Sequence, residues 1–106
     1  MRMQLGFTLA IALLIPGISA AETTISQPIT QIQYDVDDNH LWFVGAQKWG
    51  ATSCPNATYI RVTNGILGLK ELLAIGLAAK ASGQSVKFEG NCFSSDYFNA
   101  TYVYLD

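Results

Sequence analysis

Five short segments of strand-like composition, three of them alternating between apolar and polar residues, and a single helix-forming run constrain this chain most. Alternation with a period of two is typical of strands that bury one face. The predicted strands cover residues 29–36, 41–44, 58–63, 85–89 and 98–105. Residues 68–82 are instead rich in Leu, Ala, Lys and Glu, which favour a helix, and Gly83 follows as a C-terminal cap.

The order of these segments predicts a β-rich α+β fold. Turn-forming residues at 37–40 join the first two strands in a hairpin, and a long loop at 45–58 precedes the third strand. Three strands, a helix and two more strands are the element order of an OB-type barrel. We therefore expect one domain over residues 29–106, a five-stranded OB-like barrel with the helix between strands 3 and 4.

The first twenty residues have the layout of a secretory signal peptide. Arg2 precedes an apolar stretch at 5–15, and small residues follow up to Ala20 and Ala21. We expect cleavage near Ala20, which leaves a polar, flexible leader at 21–28. The protein would then be periplasmic or secreted.

The rest of the chain argues against a membrane span and against nucleic acid. A transmembrane helix needs about 20 apolar residues, and Lys70, Glu71 and Lys80 interrupt the best candidate. Six Lys and Arg stand against eight Asp and Glu, and signal cleavage would remove Arg2 as well. Nucleic acids and anionic membranes both favour clustered basic residues, which are missing from this sequence.

Cys54 and Cys92 are the only cysteines. A domain this small buries a modest share of its surface, so an additional covalent or metal link is expected. Export favours a disulfide between them, which in the loop-entropy model stabilises the fold by about 4 kcal/mol. The alternative is a metal site of the two thiolates with His40 as a third ligand.

The predicted helix is apolar on more than one side, since only three charges occur in about four turns. One explanation is an alanine-rich helix that packs on a small sheet. The other is that a second face contacts neighbouring subunits of a homo-oligomer. The residues predicted at that interface are Leu69, Leu72, Ile75, Gly76 and Ala79.

Residues 70–73 (KELL) and 81–86 (ASGQSV) resemble the helix and following strand of the B subunits of subtilase cytotoxin and related pertussis-like toxins. They also resemble small exported bacterial proteins of unknown role that share that fold. The resemblance implies an OB fold, a pentamer and glycan binding. It also implies a sugar site with polar residues near the start of the domain and an aromatic residue after the helix, where Phe88 falls.

Trp49 is the aromatic residue that most suggests a ligand. It lies in the long polar loop beside Gln47 and Lys48, an arrangement that suits stacking on a sugar or anchoring a protein interface. The predicted ligand-binding residues are therefore Trp49, Gln47, Lys48 and Phe88. The alternative is that Trp49 folds back over the disulfide.

The sequence offers no catalytic site. His40 is the only histidine, Gly-x-Ser-x-Gly does not occur, and we interpret His40 as a solvated turn residue. Glu71 and Glu89 are the imaginable carboxylate pair for glycoside hydrolysis, but nothing in the sequence makes them face each other. We expect no enzyme, no catalytic residue and no cofactor.

The acidic turn likewise falls short of a metal motif. Asp35, Asp37, Asp38 and Asn39 bring several oxygen ligands together, but the spacing lacks the glycine and distal glutamate of a calcium loop. We interpret these residues as an ordinary acidic turn and expect no metal.

Two functions follow from these observations. The first is an exported, non-catalytic and oligomeric binding module, suspected to be a pentamer, that presents loops to a glycan or a host surface protein. The alternative is a small periplasmic structural or interaction protein that contacts an envelope protein and binds no sugar.

Overall fold

The computed structural model describes residues 21–62 and 68–106. The predicted signal peptide and its cleavage site lie outside the described residues, as does the end of the third predicted strand. The described elements are β1 (Glu22–Thr23), β2 (Gln27–Asp35), β3 (His40–Gly45), β4 (Tyr59–Val62), α1 (Leu69–Ser82), β5 (Ser85–Cys92) and β6 (Tyr97–Leu105).

The described strands form one sheet that partly closes on itself. Their order is β1-β5-β2-β3-β4-β6, and β5 also pairs with β6. All neighbours are antiparallel except β4 and β6, which run parallel. Closure is weakest between β2 and β5, where only Gln27–Val86 and Pro28–Ser85 pair. Over the residues that the structure describes, the predicted β-rich fold with one helix is confirmed, with six strands in place of five.

The extra strand, β1, comes from the segment predicted as a flexible leader. Glu22 and Thr23 pair with Gly90 and Glu89 of β5. Thr24 is buried, donates its N–H to the Phe88 carbonyl at 2.8 Å and accepts the Phe88 N–H on Oγ1 at 3.0 Å. Hydrogen bonds from the backbone and from a hydroxyl hold this segment on the sheet, and burial of apolar side chains does not. The hydrophobic pattern therefore did not predict this strand.

Glu22 also ties β1 to the loop that contains Cys54. Its carboxylate accepts the Ser53 N–H at 2.9 Å and the Ser53 hydroxyl. These bonds favour the ionised form and lower the pKa of Glu22 below its ordinary value of 4.5. The contact therefore stabilises the fold at pH values above 4.5. This contribution is lost as the pH falls through the lowered pKa of Glu22.

The predicted disulfide is confirmed. Cys54 and Cys92 are bonded, with Cα atoms 5.9 Å apart, which contradicts the alternative of a two-cysteine metal site. Cys54 closes a small turn by bridging to Ala51, and Cys92 ends β5. The bond thus fixes the long 46–58 loop to the sheet.

Alternation along the strands builds the core. The inward side chains from four strands are Leu41 and Phe43, Ile60 and Val62, Val86 and Phe88, and Phe98 and Ala100. The Phe43 and Phe88 rings stack with centroids 5.4 Å apart, and Trp49 meets Phe88 edge-on at 5.4 Å. Three aromatic rings thus occupy the centre of the fold.

The helix covers this core and ends as predicted. Gly83 terminates α1 in a left-handed conformation, with φ at 71°. The buried helix residues are Leu72, Gly76 and Ala79. Gly76 lies directly over Phe43, since a Cβ atom added to Gly76 would come within 2.4 Å of Phe43 Cε1.

These contacts correct the predicted oligomer interface. Leu72, Gly76 and Ala79 pack on the chain's own core and are unavailable to another subunit, while Leu69 and Ile75 are half-buried. The exposed apolar residues of α1, which we call its outward stripe, are Ala74, Leu77, Ala78 and Ala81.

No helix among the residues that the structure describes is long and apolar enough to cross a membrane.

We predict that Gly76→Ala destabilises the protein despite the higher helix propensity of alanine. That propensity favours alanine by about 1 kcal/mol, whereas overpacking a core typically costs about 1–3 kcal/mol. Phe43 is fully buried and stacked on Phe88, so its ring has little room to move away. The overpacking cost should therefore lie in the upper part of that range, about 2–3 kcal/mol. After the gain in helix propensity, denaturant unfolding should show a net loss of about 1–2 kcal/mol.

A double mutant separates this clash from a general helix effect. In a Phe43→Leu background, Gly76→Ala should cost less, with a coupling of at least about 0.5 kcal/mol. A Gly76→Ala variant as stable as the unmodified protein would contradict the close contact between Gly76 and Phe43.

Candidate functional site

The outer face of the sheet carries aromatic residues that the alternation turns away from the core. Phe43 points inward, so its neighbour Trp42 points outward. In β4 the same rule turns Tyr59 outward beside the buried Ile60. The parallel pairing of β4 with β6 then sets Tyr97 directly beside Tyr59.

These three rings, each half-buried, pack edge-to-face. The Trp42 centroid lies 5.5 Å from Tyr59 and 5.0 Å from Tyr97, and the two tyrosine rings are 5.9 Å apart. Interplanar angles of 61–73° place ring edges against ring faces. The cluster therefore holds a fixed shape across three strands.

A cavity of about 320 Å³ opens over this cluster. We call it the aromatic pocket, and its lining residues are Gln33, Tyr34, Asp35, Trp42, Tyr59 and Tyr97. Its volume lies at the lower end of the range for small-molecule sites, which combine apolar walls with a few fixed polar groups.

The polar wall of the aromatic pocket presents hydrogen-bond acceptors. Gln33 donates its Nε2 to Gln31 Oε1 at 2.9 Å, which leaves Gln33 Oε1 to accept. Asp35 Oδ1 accepts the N–H groups of Asp37 and Asp38 at 3.1 and 3.4 Å. Asp35 Oδ2 accepts no hydrogen bond from any side chain or backbone group that the structure describes.

Arg61 supports the cluster from beside the pocket. It lies opposite Trp42 in the β3–β4 register, yet its guanidinium packs 4.0 Å from the Phe93 ring centroid and 5.9 Å from that of Tyr97. Its Nε donates to Asn99 Oδ1 at 2.9 Å. These contacts hold the positive charge against β6 and the 93–96 segment.

His40 differs from the solvated turn residue that the sequence predicts. It is half-buried and meets Trp42 edge-on, with ring centroids 5.8 Å apart. One ligand atom from each of Asp35, Asp38 and His40 lies within 4.8 Å of the others. The acidic turn thus adjoins the aromatic pocket through Asp35 and His40.

The predicted ligand-binding residues do not form a surface site. Trp49 is 0% exposed and Phe88 is 1% exposed, so neither ring can stack on a ligand. Gln47 is exposed, with its backbone held by the side chain of the buried Gln27 through two bonds of 2.9 Å. Lys48 is also exposed and donates its Nζ to the Thr58 hydroxyl at 2.8 Å.

Trp49 is buried because the long loop folds onto the core. The backbone N–H of Trp49 donates to the Ala57 carbonyl at 2.9 Å, and the backbone carbonyl of Trp49 accepts the Ile25 N–H at 2.8 Å. The polar residues around Trp49 in sequence suggested exposure, but this loop satisfies its backbone internally and turns the indole inward. The alternative prediction was that Trp49 folds back over the disulfide. Its burial agrees with the folding back, and the aromatic ring that it meets is Phe88.

The two glutamates considered at the sequence level have separate positions. Glu71 is exposed in the first turn of α1. Glu89 accepts the Tyr104 hydroxyl at 2.6 Å, a bond that raises the pKa of Tyr104 above its ordinary value of 10. Tyr104 stacks with Tyr102, which is 61% exposed, in an aromatic pair outside the aromatic pocket.

Sequence reasoning missed the aromatic pocket, although part of its signal was present. The adjacent Trp42 and Phe43 must face opposite sides of a strand, and Tyr59 precedes an apolar residue in an alternating run. No such pattern indicates Tyr97, since residues 93–97 have the composition of a loop. Its place beside Tyr59 depends on parallel pairing between strands distant in sequence.

Comparison with protein-family models, curated proteins and solved structures finds no match for this chain. The interpretation of the aromatic pocket therefore depends on its geometry and chemistry.

We predict that the two tryptophans report opposite environments in fluorescence. Trp49→Phe leaves only Trp42, which should emit at longer wavelength and be quenched readily by acrylamide. Trp42→Phe leaves only the buried Trp49, which should emit at shorter wavelength and be quenched several-fold less. Circular dichroism confirms that each variant is folded. Equal quenching of the two single-tryptophan variants would contradict the burial of Trp49.

Proposed function

We propose that this chain is an exported, non-catalytic carbohydrate-binding module whose ligand occupies the aromatic pocket. The observation that carries the proposal is the edge-to-face cluster of Trp42, Tyr59 and Tyr97 beside the acceptors of Gln33 and Asp35. A sugar ring has apolar C–H faces that pack on aromatic rings and a rim of hydroxyls that need polar partners. The aromatic pocket offers both kinds of surface.

The strand pairing supports an OB-type barrel for this module. Five strands form a cycle through the pairs β2–β3, β3–β4, β4–β6, β6–β5 and β5–β2. The strand β1 pairs with β5, the same strand that pairs with the start of β2. OB folds bind oligonucleotides and oligosaccharides on the face of their second and third strands, between two neighbouring loops. Here the corresponding elements are β3 and β4, the 36–39 turn and the 93–96 segment, and the aromatic pocket lies among them.

The charge of this region favours a sugar over a nucleic acid. Asp35 lines the pocket, and Asp37 and Asp38 follow in the adjoining turn. Phosphate backbones require clustered Lys and Arg, and the nearby Arg61 is held against Phe93 and Asn99. A pocket that offers stacking surfaces, and no cation in its lining to pair with a phosphate, suits an uncharged polyol better than a nucleic acid.

Export to an oxidising compartment agrees with the Cys54–Cys92 bond. Disulfides persist in periplasmic and secreted proteins and are rare in the cytosol. We therefore place the mature protein in the periplasm or outside the cell, after removal of the predicted signal peptide.

The resemblance to toxin B subunits and the pentamer remain predictions. The OB-type pairing and the sugar-like pocket are compatible with that resemblance, although Phe88 is buried and cannot be its sugar contact. With Leu72, Gly76 and Ala79 in the core, any helix-mediated oligomer would use the outward stripe that includes Leu77, which is 51% exposed.

We predict that Trp42→Ala weakens glycan binding by at least about tenfold, which corresponds to about 1.4 kcal/mol. The mature protein would first be screened on an array of oligosaccharides, and titration calorimetry would then measure the affinity of the best ligand. Tyr102→Ala is the matched control, because it removes an exposed aromatic residue outside the aromatic pocket. That control should bind normally.

Three results would count against this function. Silence across the array in a folded protein, or a Trp42→Ala variant that binds normally, would contradict the aromatic pocket as a glycan site. An envelope protein crosslinked in the periplasm, with no sugar bound, would favour the alternative of a structural or interaction protein. Tyr59→Ala gives a second test should Trp42→Ala fail to fold.

We predict that any oligomer depends on Leu77. Size-exclusion chromatography with light scattering on the mature protein should give a mass about five times that of one chain for a pentamer. Leu77→Lys should then shift the protein to monomer, while Lys80→Ala, at an exposed charged position of the same helix, should not. A monomer for the unmodified protein would show that the predicted oligomer is wrong.

A further inference from the structure

We infer that the aromatic pocket selects neutral saccharides and rejects sugars that carry a carboxylate or a sulfate, with Asp35 as the specificity-determining residue. This inference rests on the proposed function, because it names the ligand class for the same pocket. It follows from the kinds of polar atoms that line the pocket and from where the nearby cations are held.

The free oxygens of Gln33 and Asp35 are the acceptors of the pocket wall, while the lining tryptophan and tyrosines carry the donor groups. Gln33 uses its Nε2 on Gln31, so its carbonyl oxygen remains to accept from a ligand. Asp35 uses Oδ1 on two backbone N–H groups of its own turn, and its Oδ2 has no partner among the described residues. Toward Gln33 Oε1 and Asp35 Oδ2 a ligand therefore needs hydrogen-bond donors, and sugar hydroxyls supply them.

An anionic sugar meets the opposite conditions here. Its carboxylate or sulfate has only acceptor oxygens, which cannot bond to Gln33 Oε1 or to an ionised Asp35. It would also lose hydration beside a like charge, with Asp37 and Asp38 adding to the negative potential of the turn. Both effects disfavour acidic ligands in the same direction.

Neither Arg61 nor Lys70 lines the aromatic pocket. The Arg61 guanidinium lies over Phe93 and donates to Asn99. Lys70 lines a separate, mainly apolar cavity that shares Tyr34 with the aromatic pocket. His40 packs edge-on against Trp42 within reach of two carboxylates.

The test compares matched pairs of oligosaccharides that differ by one acidic group, such as a hexose unit and the corresponding uronic acid. Array binding and calorimetry are performed with EDTA present, so that no cation held by the acidic turn bridges to a carboxylate. We expect each bound neutral member to bind at least about tenfold tighter than its acidic counterpart. Asp35→Asn should reduce that preference to within about threefold.

Asparagine is the informative substitution at position 35. Its side-chain oxygen still accepts the backbone N–H groups of the turn, so the hairpin is retained while the charge is removed. Asp37→Asn is the matched control, because it removes a charge from the same turn without changing the lining of the aromatic pocket. It should retain most of the preference.

The outcomes separate this inference from the function on which it rests. Binding that is lost in Trp42→Ala but equal for neutral and acidic partners, or unchanged in preference in Asp35→Asn, would overturn the inference and leave the glycan site standing. A preference for acidic sugars that Arg61→Ala abolishes would overturn it as well. Absence of any Trp42-dependent glycan binding would overturn the function itself.

Discussion

The burial of Phe43 is the constraint on which most of this structure depends. Its ring stacks on Phe88 and fits beneath Gly76, so it fixes the sheet and the helix relative to each other. Because successive side chains of a strand point to opposite faces, the same burial commits Trp42 to the outer surface. Core packing and the placement of the aromatic pocket are thus two results of one register between β3 and its neighbours.

Much of the fold was predictable from periodicity. The long strands, the helix and its Gly83 cap follow from local composition, and the disulfide follows from the only two cysteines of a chain predicted to be exported. The β1 segment was not predictable in this way, because Thr24 is held by hydrogen bonds to Phe88 and carries no hydrophobic pattern. The exposure of Trp49 was predicted wrongly for a related reason. Polar neighbours in the sequence do not indicate exposure in a loop whose backbone groups are hydrogen-bonded within the protein.

The candidate site was harder to predict than the fold because three strands contribute to it. Alternation was sufficient to turn Trp42 and Tyr59 outward, but only the parallel pairing of β4 and β6 brings Tyr97 to them. The chemistry of the wall also depends on side-chain bonds, such as the one from Gln33 to Gln31, that no sequence pattern reveals. Buried aromatic residues such as Phe43 stabilise this protein, and the half-buried rings of the aromatic pocket face a cavity beside polar acceptors.

The most direct test follows the two indole N–H signals in a ¹H–¹⁵N spectrum during titration with a neutral oligosaccharide from the array. The chain has only two tryptophans, one outward and one buried, so each signal reports one of the two faces. The signal of Trp42 should shift with saturation while that of Trp49 stays in place. A shift of the Trp49 signal alone, or ligand-induced shifts confined to α1, would contradict the account.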